Sequence, residues 1–237
     1  MALPVLTHPT FEVQNPANDE TLKFRPMLVK EEKLLLMAKQ SENRNDQLTA
    51  IQDILQACLM TDSVKISEQP FFALEYLFIQ LRAQSISNKA KASYQDADED
   101  KPRTFDVDLS KVKLKKSSEI NPMIDLGNNI TLVLKYPPVS MYTSKEFYEL
   151  DDAEVFDHIL LNSMDKIFEN DTMHDCKTIS KKELKDFIDS IPSKDYEKIQ
   201  AFFENIPTLL YVIEYKNEAG VERRIELSSI DDFFTFV

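Results

Sequence analysis

Three groups of residues in this sequence have types and spacings that could do chemistry. His174, Asp175 and Cys176 are consecutive, with His158 upstream. A thiol near imidazoles invites a nucleophile or a metal ligand, provided a base lies within hydrogen-bond reach. Adjacent side chains point in different directions, however, and no third ligand or orienting acid has a defined spacing. A surface loop between two helices is therefore expected there. Asp96, Asp98 and Asp100 have the opening spacing of a calcium loop, but Lys101 stands where glycine makes the turn and Val107 where a bidentate Glu closes the shell. A solvated hairpin tip is expected instead. Asp151, Asp152, Glu154 and Asp157 resemble a carboxylate cluster, and their place at a helix start, where negative charge is favoured, explains them without catalysis. With Gly127 and Gly220 as the only glycines, GxGxxG, the Walker loop and the GxSxG elbow are all missing, which excludes nucleotide binding by those routes. No catalytic, cofactor-binding or metal residue is assigned, and no enzyme activity is expected.

The bulk numbers narrow the classes further. At 237 residues the chain buries roughly 70–75% of its unfolded surface and needs no disulfide or metal for stability. Its hydrophobic content of 43% is that of a globular protein. A net charge of −13, from 41 acids and 28 bases, argues against nucleic acid and anionic membrane as partners, since phosphate binding needs clustered Lys and Arg. It fits solubility or docking onto a basic protein surface. Cys58 and Cys176 are far apart and read as free thiols in a reducing compartment. The start, MALPVLTHP, has no basic segment and is broken by Pro4 and Pro9, so no signal peptide is expected. No apolar run approaches the ~20 residues that cross a bilayer.

The elements that position these groups follow from periodicity. Residues 10–14 and 21–24 alternate in polarity around the turn-rich NPANDE and predict a β-hairpin. Pro26 marks a boundary. A helix follows, with Glu31 and Glu32 in its opening turn and Leu34, Leu35, Met37 and Ala38 expected as its buried face. A second helix over 46–60 presents Leu48, Ile51, Leu55 and Cys58 or Leu59 at helical spacing. Pro70 opens a third, 71–85, apolar nearly all round and so expected as the central core helix. Residues 89–109 predict a second hairpin with the acidic tip QDADEDKP. NITLVLKY predicts a further strand after a turn at Gly127, ended by Pro137 and Pro138. In the last third, TSKE at 143–146 and SKKE at 180–183 have capping-box spacing. The helices after them carry Val155, Ile159 and Ile167, then Leu184, Phe187 and Ile188, and a third over 195–205 carries Tyr196, Ile199, Phe202 and Phe203. The chain closes on a hairpin at 209–227.

The sum is an α+β fold, a helical core of about six helices with three β-hairpins or small antiparallel sheets. The expected division is 1–87, a hairpin plus helices; 88–140, a β-rich middle; and 141–237, helices plus the terminal hairpin, unless the whole is one continuous globule. Val107–Val112 also echoes Ile225–Ile230 in its apolar, acidic, Leu and Ser positions. The echo is open to two readings, a duplicated helix-plus-hairpin unit or the chance likeness of short alternating strands.

The opening MALPVLTHPTFEV, then LKFRPMLVKEEKLLLMA and FALEYLFIQLRAQSI, and the closing FFENIPTLLYVIEY and IELSSIDDFF, resemble the baseplate hub proteins of T4-like contractile-tailed bacteriophages. The likeness covers both ends well and 88–140 only by strand pattern. Some members of that family carry Cys-x-x-Cys in the terminal hairpin, where this chain has Lys216 to Gly220, so no zinc knuckle is implied here. The resemblance implies a hub structural or assembly protein without catalytic residues. Its implied partners are other baseplate hub or tape-measure proteins, met in the host cytoplasm during assembly or kept in the virion's tail baseplate. The exposed hairpins at 10–24, 89–109 and 209–227 are the expected contacts. The alternative from another class is an acidic host-directed binding protein that mimics nucleic acid.

Overall fold

Prolines and turn formers cut the chain into elements close to those the spacing predicts. A computed structural model describes residues 6–41, 43–118 and 120–233. Residues 1–5 of the opening segment, Glu42 in the break after the first helix, Glu119, and the residues from Phe234 on lie outside the described residues. Among the described residues the fold is α+β, with six helices of nine residues or more and four antiparallel sheets. The chain divides into two compact units, Met1–Lys115 with Thr208–Val237, and Lys116–Pro207. Residues 88–115 thus belong to the first unit and 116–140 to the second.

The first unit opens with β1 (Phe11–Gln14) and β2 (Thr21–Phe24), paired so that Phe11 faces Phe24 and Val13 faces Leu22. Leu22 and Phe24 are fully buried. β2 is continued on its other side by residues 58–60: Arg25 N donates to Cys58 O at 3.0 Å and Met60 N to Lys23 O at 2.8 Å. Helix α1 (Val29–Gln40) follows, then α2 (Arg44–Cys58), which buries Leu48, Ile51, Ile54, Leu55 and Cys58 on one stripe. Helix α3 (Phe71–Ser85) buries Phe72, Leu74, Leu77, Phe78, Ile79 and Leu81 and is the core helix its sequence predicts. Each such side chain contributes about 1.5–3 kcal/mol of burial. The face predicted for α1 is wrong, however. Ala38 is buried and Leu35 half-buried, but Leu34 is 37%, Leu36 61% and Met37 68% exposed. The position that turns inward beside Ala38 is Glu31.

Strands β3 (Lys89–Tyr94) and β4 (Arg103–Asp108) form the second hairpin, and the short β5 (Lys113–Lys115) closes this part of the unit.

The second unit is an antiparallel meander packed against helices. Its strands β6 (Met123–Asp125), β7 (Ile130–Leu134), β8 (Met164–Glu169) and β9 (Thr172–Asp175) lie in sequence order. Gly127 takes φ +77° in the β6–β7 turn, a conformation a Cβ disfavours. Helices α4 (Val139–Tyr142), α5 (Lys145–Glu149) and α6 (Asp152–Ser163) follow β7, and α7 (Lys181–Asp189) and α8 (Ser193–Glu204) follow β9. Leu132, Leu160, Met164, Ile167, Leu184, Ile188, Ile199 and Phe202 share one core.

Three local expectations change here. The helix carrying Val155 and Ile159 stops at Ser163, so Ile167 sits in a strand. Of the segment expected as a loop at 174–176, His174 and Asp175 end the return strand of a hairpin turning at Asn170, whose φ is +52°, and Cys176 opens a short 3-10 turn. Ser144, not Thr143, caps the helix at 145 by accepting the Phe147 N–H at 3.2 Å. The box at Ser180 and Glu183 forms as spaced.

The chain re-enters the first unit through β10 (Thr208–Lys216), which pairs with β5 over 208–210 and with β11 (Glu222–Leu227) over 211–216. A last turn of helix, α9 (Ile230–Phe233), ends the described chain. Val107, Leu109 and Leu227, Ile225 all enter one core with Leu209 and Phe233. The echoed segments are thus alike in burial, but α8 and the hairpin after it fall in different units, so no compact helix-plus-hairpin repeat is formed.

Candidate functional site

The FRP turn and the VKEEK helix start are joined by one buried ion pair. Arg25 Nη2 donates to Glu31 Oε1 at 2.8 Å and to Ala57 O at 2.9 Å, and Nη1 donates to Pro26 O at 3.0 Å. Glu31 also accepts the Leu28 N–H at 2.8 Å, so it caps its own helix. Burial pushes the Glu31 carboxyl upward, but the Arg25 and Leu28 hydrogen bonds outweigh it and hold the group below the usual carboxylate range. The nearby Cys58 thiol is pushed up to about 11, chiefly by burial. It is protonated at neutral pH and unsuited to nucleophilic work.

The acidic tip between β3 and β4 is not a solvated loop throughout. Asp96 is 2% exposed. Its carboxylate accepts the Tyr215 hydroxyl at 2.6 Å, Arg223 Nε at 3.2 Å and the Asp98 N–H at 3.0 Å. Asp98 receives Arg223 Nη2 as well. Glu99 takes both Arg103 Nε at 2.6 Å and the Glu218 N–H at 2.7 Å. The spacing that imitates a calcium loop instead fastens one hairpin tip to the terminal hairpin. Asp96 is held below the usual range, first by Tyr215, while Tyr215 is pushed up to about 12 by burial and by the carboxylate it donates to. Among the described residues no group of three or more His, Cys, Asp or Glu is placed to hold a metal.

His158, His174 and Cys176 are not brought together by any hydrogen bond. His158 on α6 lies 3.9 Å from Glu146 and against the Phe147 ring, at 6.1 Å between centroids. His174 on β9 lies 3.6 Å from Glu169. Cys176 is in the core, its thiol pushed up to about 11 by burial and then by Asp165 and Asp175. The groove beside His174, about 330 Å³, is lined mainly by Ile130, Ile167, Ile179, Leu184 and Phe187. His174, Glu169 and Glu183 stand among these apolar side chains, and no nucleophile or metal-ligating group of three joins them among the described residues. At 151–157, Asp151 is the N-cap of α6, accepting the Ala153 and Glu154 N–H groups at 3.1 and 3.0 Å.

Val29, Leu36 and Met37 on α1 are 66%, 61% and 68% exposed.

A family model described as T4 bacteriophage base plate protein matches residues 8–235. The chain belongs to the T4 baseplate family. Neither the curated proteins nor the solved structures gave a match. In this baseplate protein, the residues that carried the resemblance are placed as scaffold. Arg25 and Glu31 fix the first helix, and Phe78 and Leu81 of the EYLF-type helix fill the core. No helix among the described residues is long and apolar enough to cross a membrane. Sequence reasoning missed the Arg25–Glu31 pair, the role of Tyr215 and Arg223, and the exposed face of α1. The last carried a signal, since the apolar residues of α1 fall on more than one side of the helix.

Proposed function

We propose that this T4-family baseplate protein is a structural or assembly protein of the baseplate hub, acting by protein–protein contacts and not as an enzyme. The family match from residue 8 to residue 235 carries the reading. The order of the FRP turn, the VKEEK helix start and the terminal hairpin, which resembles hub proteins, supports the narrower reading of a hub component. Its partners are other hub or tape-measure proteins, met in the host cytoplasm, and the chain then stays in the tail baseplate or leaves once the hub is built. The alternative of a nucleic-acid mimic needs an array of unpaired acids. Asp96, Asp98 and Glu99, in the densest acidic run, are engaged by Arg103 and Arg223, and we do not favour it.

The test is electron microscopy of particles made by the parent phage with this gene deleted. Heads of normal shape with absent or hubless baseplates are expected. A normal yield of complete baseplates removes the proposal. Mass spectrometry of purified virions then separates a permanent part from a transient assembly factor.

A further inference from the structure

Helix α1 has two apolar sides, and only one is used. At 100° per residue, Glu31 and Ala38 point together into the unit, both buried. Val29, Lys33, Leu36 and Met37 share the opposite side. Exposed apolar residues scattered singly are ordinary. Three large ones on one face of one helix form a patch of the kind that marks an interaction site. The charge of this face runs against that of the chain. In a protein of net charge −13, Lys33 lies within the patch and Lys30 on its border beside Met37, against the single acid Glu32 on the border beside Leu36. Lys33 makes no ion pair among the described residues, and Lys30 has only the long 3.5 Å approach to Glu31, which Arg25 already holds.

We propose that the outward face of α1, Val29, Leu36 and Met37 with Lys30 and Lys33, is a docking site for a helix of another baseplate protein, one with an apolar stripe bordered by Asp or Glu. The inference rests on the protein-contact reading above. A helix laid on this face matches three apolar anchors at helical spacing and places its acids against the lysines. A second copy of this chain is the weaker occupant. Two α1 faces crossing about a two-fold axis set Lys33 against Lys33, and like charges so placed repel.

The test uses the full chain and two fluorescein-labelled model helices with the same leucine stripe, one bordered by Glu and the other by Lys, read by fluorescence anisotropy. The Glu-bordered helix is expected to bind saturably and about tenfold more tightly than the Lys-bordered one, an advantage that shrinks with added salt. Lys33→Glu is expected to weaken it about fivefold, and Leu36→Glu with Met37→Glu to abolish it. All three side chains are already in water, so the melting midpoint is expected to stay at the wild-type value. Should the glutamates lower it, Leu36→Ser with Met37→Ser is the replacement pair, with the same loss expected. Equal binding of the two helices, no saturable binding, or full binding by the double variant overturns the proposal. In the gene-deleted phage, wild-type protein is expected to restore baseplates and the double variant to fail. If both restore them, the docking face is wrong and the assembly role stands. If the deletion is harmless, the assembly role falls and the peptide titration alone decides the face.

Discussion

Arg25 and Glu31 form the ion pair that ties the first hairpin to the first helix. Removing one partner leaves the other charge buried, which is far more damaging than losing the pair together. Arg25→Met is expected to lower unfolding free energy by about 2–3 kcal/mol, somewhat below the fully buried case because the Arg25 side chain remains 17% exposed. Glu31→Gln is expected to cost a similar amount, and the double variant less than the sum, as read by urea denaturation in a double-mutant cycle. Glu75 sets the opposite pH trend. It is 6% exposed, accepts the Ile230 N–H at 2.9 Å, and has its pKa pushed up to about 7, first by burial, with Asp231 and Asp232 adding and Ile230 and Arg44 opposing. A folded pKa above the unfolded one gives a contribution that is complete below the unfolded value and lost as pH rises through the folded one. The window here runs from the ordinary 4.5 to about 7. Glu75→Gln keeps the acceptor without the charge. It is expected to gain on the order of 2–3 kcal/mol over wild type at pH 8 and nothing below the ordinary carboxyl pKa. Neither feature was legible beforehand: Glu75, a lone acid inside a helix pattern, reads as a solvated position, and Glu31, in an opening turn beside Glu32, reads as a partner of the helix dipole.

At the scale of elements, hairpins and long helices were legible because their periods are clean. The β1–β2, β3–β4 and β10–β11 pairs and the extents of α2, α3 and α8 follow the alternation and the prolines. The β8–β9 hairpin was not. Met164 to Glu169 follows a helix without glycine or proline between, and its turn is made by Asn170, which enters the left-handed region more readily than most residues. The acidic tip was misread for another reason: its partners, Tyr215 and Arg223, come from the far end of the chain. This also bears on edges. Tyr211 Oη is 3.3 Å from Asp108 N and Arg103 Nη1 donates to Lys216 O at 3.0 Å, so β4 is partly covered by the terminal hairpin and is a poorer free edge than expected. Tyr215→Phe removes the hydroxyl that Asp96 accepts and leaves the ring against Phe105, 4.9 Å between centroids. Faster amide exchange at 97–99 and 217–218 is expected, with exchange in α3 unchanged. Equal protection in both places would show that the tip is held by Arg223 and Arg103 alone.

At the scale of the whole molecule, the first unit is built from both ends of the chain, and the second is inserted between two neighbouring strands. Lys115 and Thr208, the residues on either side of the insertion, are cross-strand partners. No sequence pattern announces this, since β5 is three residues long and its partner lies beyond a whole unit. Replacing 116–207 by Asn-Gly, a two-residue hairpin turn, is expected to leave a first unit that melts cooperatively, and the excised 116–207 is expected to fold around Leu132, Leu160, Ile199 and Phe202. Circular dichroism with a thermal melt of each piece reads this, and two unstructured pieces would contradict it. The same scale holds the central claim, that this baseplate protein works through surfaces it offers to neighbours. The most direct test is cross-linking mass spectrometry on the tagged chain drawn from phage-infected cells during tail assembly. Hub or tape-measure proteins are expected in fixed ratio, cross-linked to lysines of the first unit. The chain recovered alone, or with host nucleic-acid-binding proteins in place of baseplate components, contradicts the account.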